Sequence, residues 1–248
     1  MQTAGQAQTF VRDFHNAGFG VVRQAIEPSL ANDLRTRLDR MFDDRPASEP
    51  APLQRIVPRI IECDERFAGL ATSPAMVATL TEIFGVIPQL VCSYGHQKPA
   101  RTGAHTRPHS DVAHLPGVPH HLSLLMVKAM FALTAVTTGS GGTMIFPRSH
   151  RQPPGAGSQD GPGHYVALEP GDLLLFHANV RHTATENSSL DARLSVWFMY
   201  ALPWMRLFPG YEYSDEFLRG VRQRTATEPH LTSIFGLNDP YATSAALQ

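Results

Sequence analysis

The chain has 248 residues, 42% of them hydrophobic and 17% charged, which is enough to bury a sizeable core and too apolar for a disordered or fibrous chain. Its 21 basic and 22 acidic residues leave a formal net charge of −1, which gives no electrostatic support for a nucleic-acid or anionic-membrane partner. Two cysteines, Cys63 and Cys92, can build neither a disulfide framework nor a cysteine-rich zinc site, so a reducing, cytoplasmic setting is expected.

Met1 to Phe10 lacks the basic-then-apolar order of a secretory signal, and no stretch reads as a run of about 18 apolar residues able to span a bilayer. Phe10, Val11, Phe14 and Phe19 lead into Gly20, Val21 and Val22, which reads as a short helix running into a strand. Pro28 and Ser29 open an amphipathic helix marked by Leu30, Leu34, Leu38, Met41 and Phe42 at spacings of three and four. Arg45 to Pro52 reads as a loop. Ser73 as N-cap and Pro74 at the first helical position open a second helix, with Met76, Val77, Leu80, Ile83 and Phe84 on one face and Gly85 as its stop.

From about residue 88 short apolar runs alternate with Gly, Pro and Ser clusters. Pro88–Ser93, Leu122–Met126, Met130–Val136, Thr143–Phe146, Tyr165–Ala167, Asp172–Phe176 and Leu194–Tyr200 read as strands. Gln152–Gly163, rich in Pro and Gly, reads as a mobile surface loop, and Ser214–Val221 as a short helix. The predicted fold class is mainly β with flanking α-helices, a sandwich or barrel with helices packed on one side. One domain over residues 1–248 is expected: a helical part at about 1–87, a β core at about 88–202, and a tail from 203 to 248.

The sharpest chemical feature is His109-Ser110-Asp111. On an extended segment, residues two apart share a face, so imidazole and carboxylate can grip one object. His182, just past the apolar run ending at Phe176, is a third candidate ligand. Two histidines and one carboxylate on one face suit Fe(II) and leave three positions open. A His-x-Asp pair alone is common, and most often an ordinary loop pair. Arg193, 11 residues after His182, opens the last strand, where a guanidinium can take the far end of a dicarboxylate through two parallel bonds. The alternative is a solvated charge at a strand edge.

Several runs, in order, resemble the phytanoyl-CoA dioxygenase-like enzymes. They are Phe14-His15-Asn16-Ala17-Gly18-Phe19; Ala132-Leu133-Thr134 through Thr138-Gly139-Ser140-Gly141-Gly142; Phe146-Pro147-Arg148-Ser149-His150; and Gly171-Asp172-Leu173-Leu174-Leu175-Phe176 leading to His182, Asn187 and Arg193. The resemblance spans roughly residues 8 to 205. It implies a double-stranded β-helix, or jelly roll, in which His109, Asp111 and His182 hold Fe(II) and Arg193 holds 2-oxoglutarate. O2 then drives decarboxylation to succinate and oxidation of a substrate, with hydroxylation as the default. An aspartate at position 111, where related halogenases carry a small residue, argues against halogenation.

The sequence departs from the family pattern at Ser110, Arg148 and Ala184. Ala184 replaces a serine that often binds the 2-oxoglutarate carboxylate, so Thr183 or Thr185 is expected to supply the hydroxyl. Lys98 is expected near the cosubstrate by the same analogy, and Lys128 is expected to face solvent. His114, three residues after Asp111, and Ser110 are the expected substrate contacts. The expected substrate is a small organic molecule, a specialised-metabolite intermediate rather than an acyl-CoA, because the lysines are too few for a phosphate-binding patch. A monomer or homodimer is expected. The rival readings are a metal-dependent cupin-like isomerase or hydrolase and a non-catalytic jelly-roll binding protein.

Overall fold

Alternation along the strands decides the architecture. In Arg193–Ala201 (β9), Leu194, Val196, Phe198 and Tyr200 join one core, while Trp197 and Met199 join others on the opposite face. All nine residues of this strand are buried, so both faces of its sheet are covered. The computed structural model describes residues 4–45, 52–104, 106–114, 123–152 and 161–238.

The helices Ala4–Ala17 (α1), Pro28–Asp43 (α2), Ile60–Cys63 (α3), Glu65–Ala71 (α4) and Pro74–Phe84 (α5) come early. The strands β1 (Phe19–Val22), β2 (Arg55–Pro58), β3 (Gln89–Lys98), β4 (Met126–Ala132), β5 (Thr143–Ile145), β6 (His164–Tyr165), β7 (Leu173–His177) and β8 (His182–Ala184) precede β9. Helices α6 (Asp215–Arg224) and α7 (His230–Ile234) follow it. The larger sheet is antiparallel in the order β1-β7-β4-β9-β3-β2, and the smaller runs β6-β5-β8. The two sheets face each other as a jelly roll. One core fills the space between the larger sheet and the helices, with Phe14, Leu34, Leu38, Phe67 and Leu80 fully buried. Two smaller cores lie on the other face of that sheet.

Local chemistry explains the helix ends. Ser73 Oγ accepts the Met76 N–H at 3.4 Å, Pro74 starts α5, and Gly85 ends it at φ 74°, donating its N–H to Thr81 O. The stretch Glu65–Phe84 reaches a mean hydropathy of 1.3, more apolar than the sequence reading allowed. It is nevertheless two helices divided at Thr72 and Ser73, and half of it is packed inside the protein.

Three strand expectations are corrected. In place of the separate runs expected at Leu122–Met126 and Met130–Val136, the described residues form β4 alone, Met126–Ala132, and Leu122 lies outside them. Lys128 interrupts the apolar pattern there, yet it is satisfied by a buried partner. Strand β3 extends to Lys98, five residues past its expected end, because β9 pairs with it along its length. β2 and β8 were not foreseen; both are short and take their order from their neighbours. The expected loop at Gln152–Gly163 lies largely outside the described residues, at 153–160. The tail from Pro203 packs Met205, Leu207, Phe208 and Tyr211 against Val91, Cys92, Val112 and Met199.

Buried histidines predict an acid-sensitive fold. His177 packs against His150 with tilted rings whose centroids lie 5.1 Å apart, and its Nδ1 accepts the Asn179 N–H. Burial, reinforced by the charges of His150 and His15, pulls His177 down to about 3. The unfolded chain, titrating near 6.5, therefore takes up the proton first as pH falls. The stability from this ring is complete above the unfolded value and is lost as pH falls toward about 3, by up to about 1.4 kcal/mol per pH unit. Urea midpoints of the metal-free protein are expected to fall between about pH 7 and about pH 4, and His177→Gln to flatten part of the slope. A flat profile in the unsubstituted protein would contradict neutral burial.

Candidate metal centre

His109 and Asp111 lie where the chain leaves the loop after β3 and runs beside β8. His109 N donates to His182 O at 3.0 Å and His182 N returns a bond to His109 O at 2.9 Å, so the two histidines face each other across an isolated bridge. Asp111 N donates to Ala178 O at 2.9 Å, which ties the next turn to the end of β7. Backbone pairing thus brings together side chains 71 and 73 residues apart in sequence.

Each imidazole is oriented by a main-chain carbonyl. His109 Nδ1 lies 2.9 Å from Arg107 O, and His182 Nδ1 lies 3.0 Å from Val180 O. A carbonyl only accepts, so Nδ1 carries the hydrogen and Nε2 keeps its lone pair. Burial pulls His182 down to about 4, against the opposing pull of Asp111, so the ring is neutral at physiological pH. Burial works against the Asp111 carboxylate, but the Lys128 ammonium, together with His182 and His109, holds the group below the usual carboxylate range. One donor atom from each of His109, Asp111 and His182 lies within 4.8 Å of the others. Asp111 Oδ2 is buried without a hydrogen-bond partner, 3.8 Å from His182 Nε2. Two oriented imidazole lone pairs and an orphaned carboxylate oxygen are a donor set that fits a divalent metal.

A cavity of about 200 Å³ joins this cluster to Arg193. Its walls include Thr106, Thr143, Ala184, His96, Lys128 and Trp197. Arg193 is only 3% exposed, and no carboxylate reaches it among the described residues. Its Nη1 contacts Ser195 Oγ at 3.3 Å and Met130 Sδ at 3.8 Å, while its Nε is buried with no partner. Burial pulls the group down only to about 10, so it stays charged at neutral pH. A buried cation with spare donors facing a cavity calls for an anion.

Other expected site residues are placed differently. Thr183 lines no part of this cavity, since its hydroxyl donates to Thr106 O at 2.6 Å across the neighbouring segment. Thr185 donates to Gly142 O. The hydroxyls that do line the cavity belong to Thr106 and Thr143. Lys98 is fully buried opposite Arg193 in the β3–β9 register, but its ammonium bonds Gly103 O and does not line the cavity. Ser110 is nearly buried and also lies off the cavity, because alternation turns it away from the side its two neighbours share. His114 ends a single 3₁₀ turn, Asp111–His114, and its side chain lies outside the described residues.

Lys128, expected at the surface, faces inward, with Nζ 2.8 Å from Asp111 Oδ1. Strand β4, which carries it, is covered on both faces, and six of its seven residues are buried. Trp197 lines the cavity and donates Nε1–H to Ser195 Oγ. Sequence reasoning also missed His96, whose Nε2 lies 3.0 Å from Gln54 Oε1; its alternation with Tyr94 and Lys98 along β3 was the available signal.

Among the described residues, the His-Asp-His cluster at one end of this interior cavity is the group whose donor atoms could hold a metal ion. The chain belongs to the phytanoyl-CoA dioxygenase family, whose model matches residues 14–195. Among solved structures it is similar to the non-heme alpha-ketoglutarate-dependent epimerase SnoN from nogalamycin biosynthesis, with 21% identity and a TM-score of 0.72, covering 86% of this chain and 93% of that one. It is also similar to the carbocyclase SnoK from nogalamycin biosynthesis, with 19% identity, a TM-score of 0.68 and coverage of 86% and 90%. HygX from Streptomyces hygroscopicus, solved with nickel, 2-oxoglutarate and hygromycin B, shares 18% identity with a TM-score of 0.66 over 81% of this chain and 89% of its own.

Proposed function

We propose that the protein is an Fe(II)- and 2-oxoglutarate-dependent oxygenase that hydroxylates a small organic molecule, a specialised-metabolite intermediate. The observation that carries this reading is the buried Arg193, lacking a carboxylate partner among the described residues, at the far side of a cavity from three convergent metal-ligand atoms. In this reading His109, Asp111 and His182 hold Fe(II), and Arg193 takes the distal carboxylate of 2-oxoglutarate, with Thr106 and Thr143 beside it. Bound Fe(II) with 2-oxoglutarate supplies activation of O2 coupled to formation of succinate and CO2.

The chain's own contribution is orientation and exclusion of water. The two backbone carbonyls fix the imidazole tautomers, and Ser195 Oγ aligns Arg193 and Trp197 together. Gln54, Ile56, Tyr94 and His96 supply a mixed aromatic and polar wall suited to an uncharged or weakly polar substrate. Solved relatives carrying nogalamycin RO or hygromycin B support a natural-product substrate. Asp111 supports oxygen insertion over halogenation. Cys63 and Cys92 are both free, which supports a reducing setting.

The test is anaerobic titration of the metal-free protein with Fe(II) and then 2-oxoglutarate. A weak visible charge-transfer band that appears only with both is expected. Bound metal without a band would favour an isomerase, a hydrolase or a non-catalytic role.

A further inference from the structure

Lys128 is an ionisable side chain that neither the metal cluster nor the 2-oxo-acid site requires. Strand β4 alternates: Val127, Ala129 and Phe131 pack toward the helices, while Met130 and Lys128 face the interior of the roll. The ammonium sits 5.4 Å from the Trp197 ring centroid and 5.9 Å from that of Phe176, so two aromatic faces hold it in place. Its hydrogen bond goes to Asp111 Oδ1, and the other carboxylate oxygen, Oδ2, is the buried one without a partner.

We propose that Lys128 is a positioning residue that locks Asp111, holding Oδ1 back so that Oδ2 alone serves the metal. This inference rests on the metal reading above. A free carboxylate can grip a metal through one oxygen or both, and the second grip uses another coordination position. An oxygenase of the proposed class needs three positions for a chelating 2-oxo acid and O2. A lysine fixed between two rings restrains Oδ1 without occupying the metal. A nearby ammonium acting only as a charge would repel a divalent cation, so its removal would tighten metal binding. A lock predicts a change in the ligand set instead: with Lys128 gone, Oδ1 is free to reach the metal.

Calorimetric and visible titration with Co(II), whose d–d bands report coordination number, separates these cases. Lys128→Met is expected to bind Co(II) with a changed d–d spectrum, as Oδ1 joins Oδ2 on the metal. Lys128→Arg, which keeps a charged donor, is expected to restore part of the original spectrum. A folded Lys128→Met protein whose Co(II) spectrum is unchanged, at any affinity, overturns the proposal. If the unsubstituted protein binds Co(II) and His109→Ala does not, the metal reading stands whatever Lys128 shows. If the unsubstituted protein binds no Co(II), both readings fall. Should Lys128→Met not fold, a crystal structure of the Co(II)-loaded protein decides: Oδ2 on the metal with Lys128 on Oδ1 supports the lock, and both oxygens on the metal overturn it.

Discussion

Replacement of Arg193 by leucine is expected to raise the 2-oxoglutarate concentration for half-saturation about 100-fold or more. Removing one partner of a buried, hydrogen-bonded charge pair typically costs about 2–5 kcal/mol, which is roughly 30-fold to several-thousand-fold in affinity. Arg193 belongs to this class, since it is buried, charged and short of partners among the described residues. The loss should fall on the cosubstrate requirement and on the charge-transfer band at fixed 2-oxoglutarate, with metal affinity unaltered. Stability gives the second readout. An unpaired buried guanidinium is costly to the metal-free fold, and leucine fits an apolar setting beside Met130. The substituted protein should therefore melt at the same temperature or higher. A large drop in melting temperature with an unchanged 2-oxoglutarate requirement would make Arg193 structural.

Loss of a metal ligand should abolish turnover, but the three ligands are not equivalent tests. His109→Ala removes a partly exposed ring whose side-chain bond is to Arg107 O, so the fold should survive while iron-dependent turnover falls by about 1,000-fold or more. From sequence alone, Asp111→Ala carries the same expectation. The structure changes it, because Lys128 would be left buried without its carboxylate. Breaking a buried pair by deleting one partner costs about 3–5 kcal/mol. Asp111→Ala should therefore lose both activity and stability. The double variant Asp111→Ala/Lys128→Met should regain stability without regaining metal. Thermal melts and Co(II) titrations of the four proteins in this cycle check the assignment. Full activity in His109→Ala would remove it from the ligand set.

Several features were legible in the chain because they depend on near neighbours. The Ser73-Pro74 start and Gly85 stop of α5 are local backbone chemistry. The two-residue period of β9 and the sharing of one face by His109 and Asp111 follow from the extended chain. His182 and Arg193 could be proposed from their order after an apolar strand, and the structure places both on the cavity.

What the tertiary structure decided was the partner of each inward-facing polar group. Lys128 reads as solvent-facing in isolation, and it turns inward only because helices cover one face of its sheet and Asp111 waits on the other. Thr183 sits beside a metal ligand in sequence, yet a hydrogen bond to Thr106, 77 residues away, takes its hydroxyl off the cavity. Thr106, Thr143 and Gln54 have no local pattern that marks them, since their place depends on strands that meet only in the folded roll. Local sequence determined which groups can do the chemistry. Long-range packing decided which of them face the cavity, because in a sheet buried on both faces every polar side chain must find its partner across the fold.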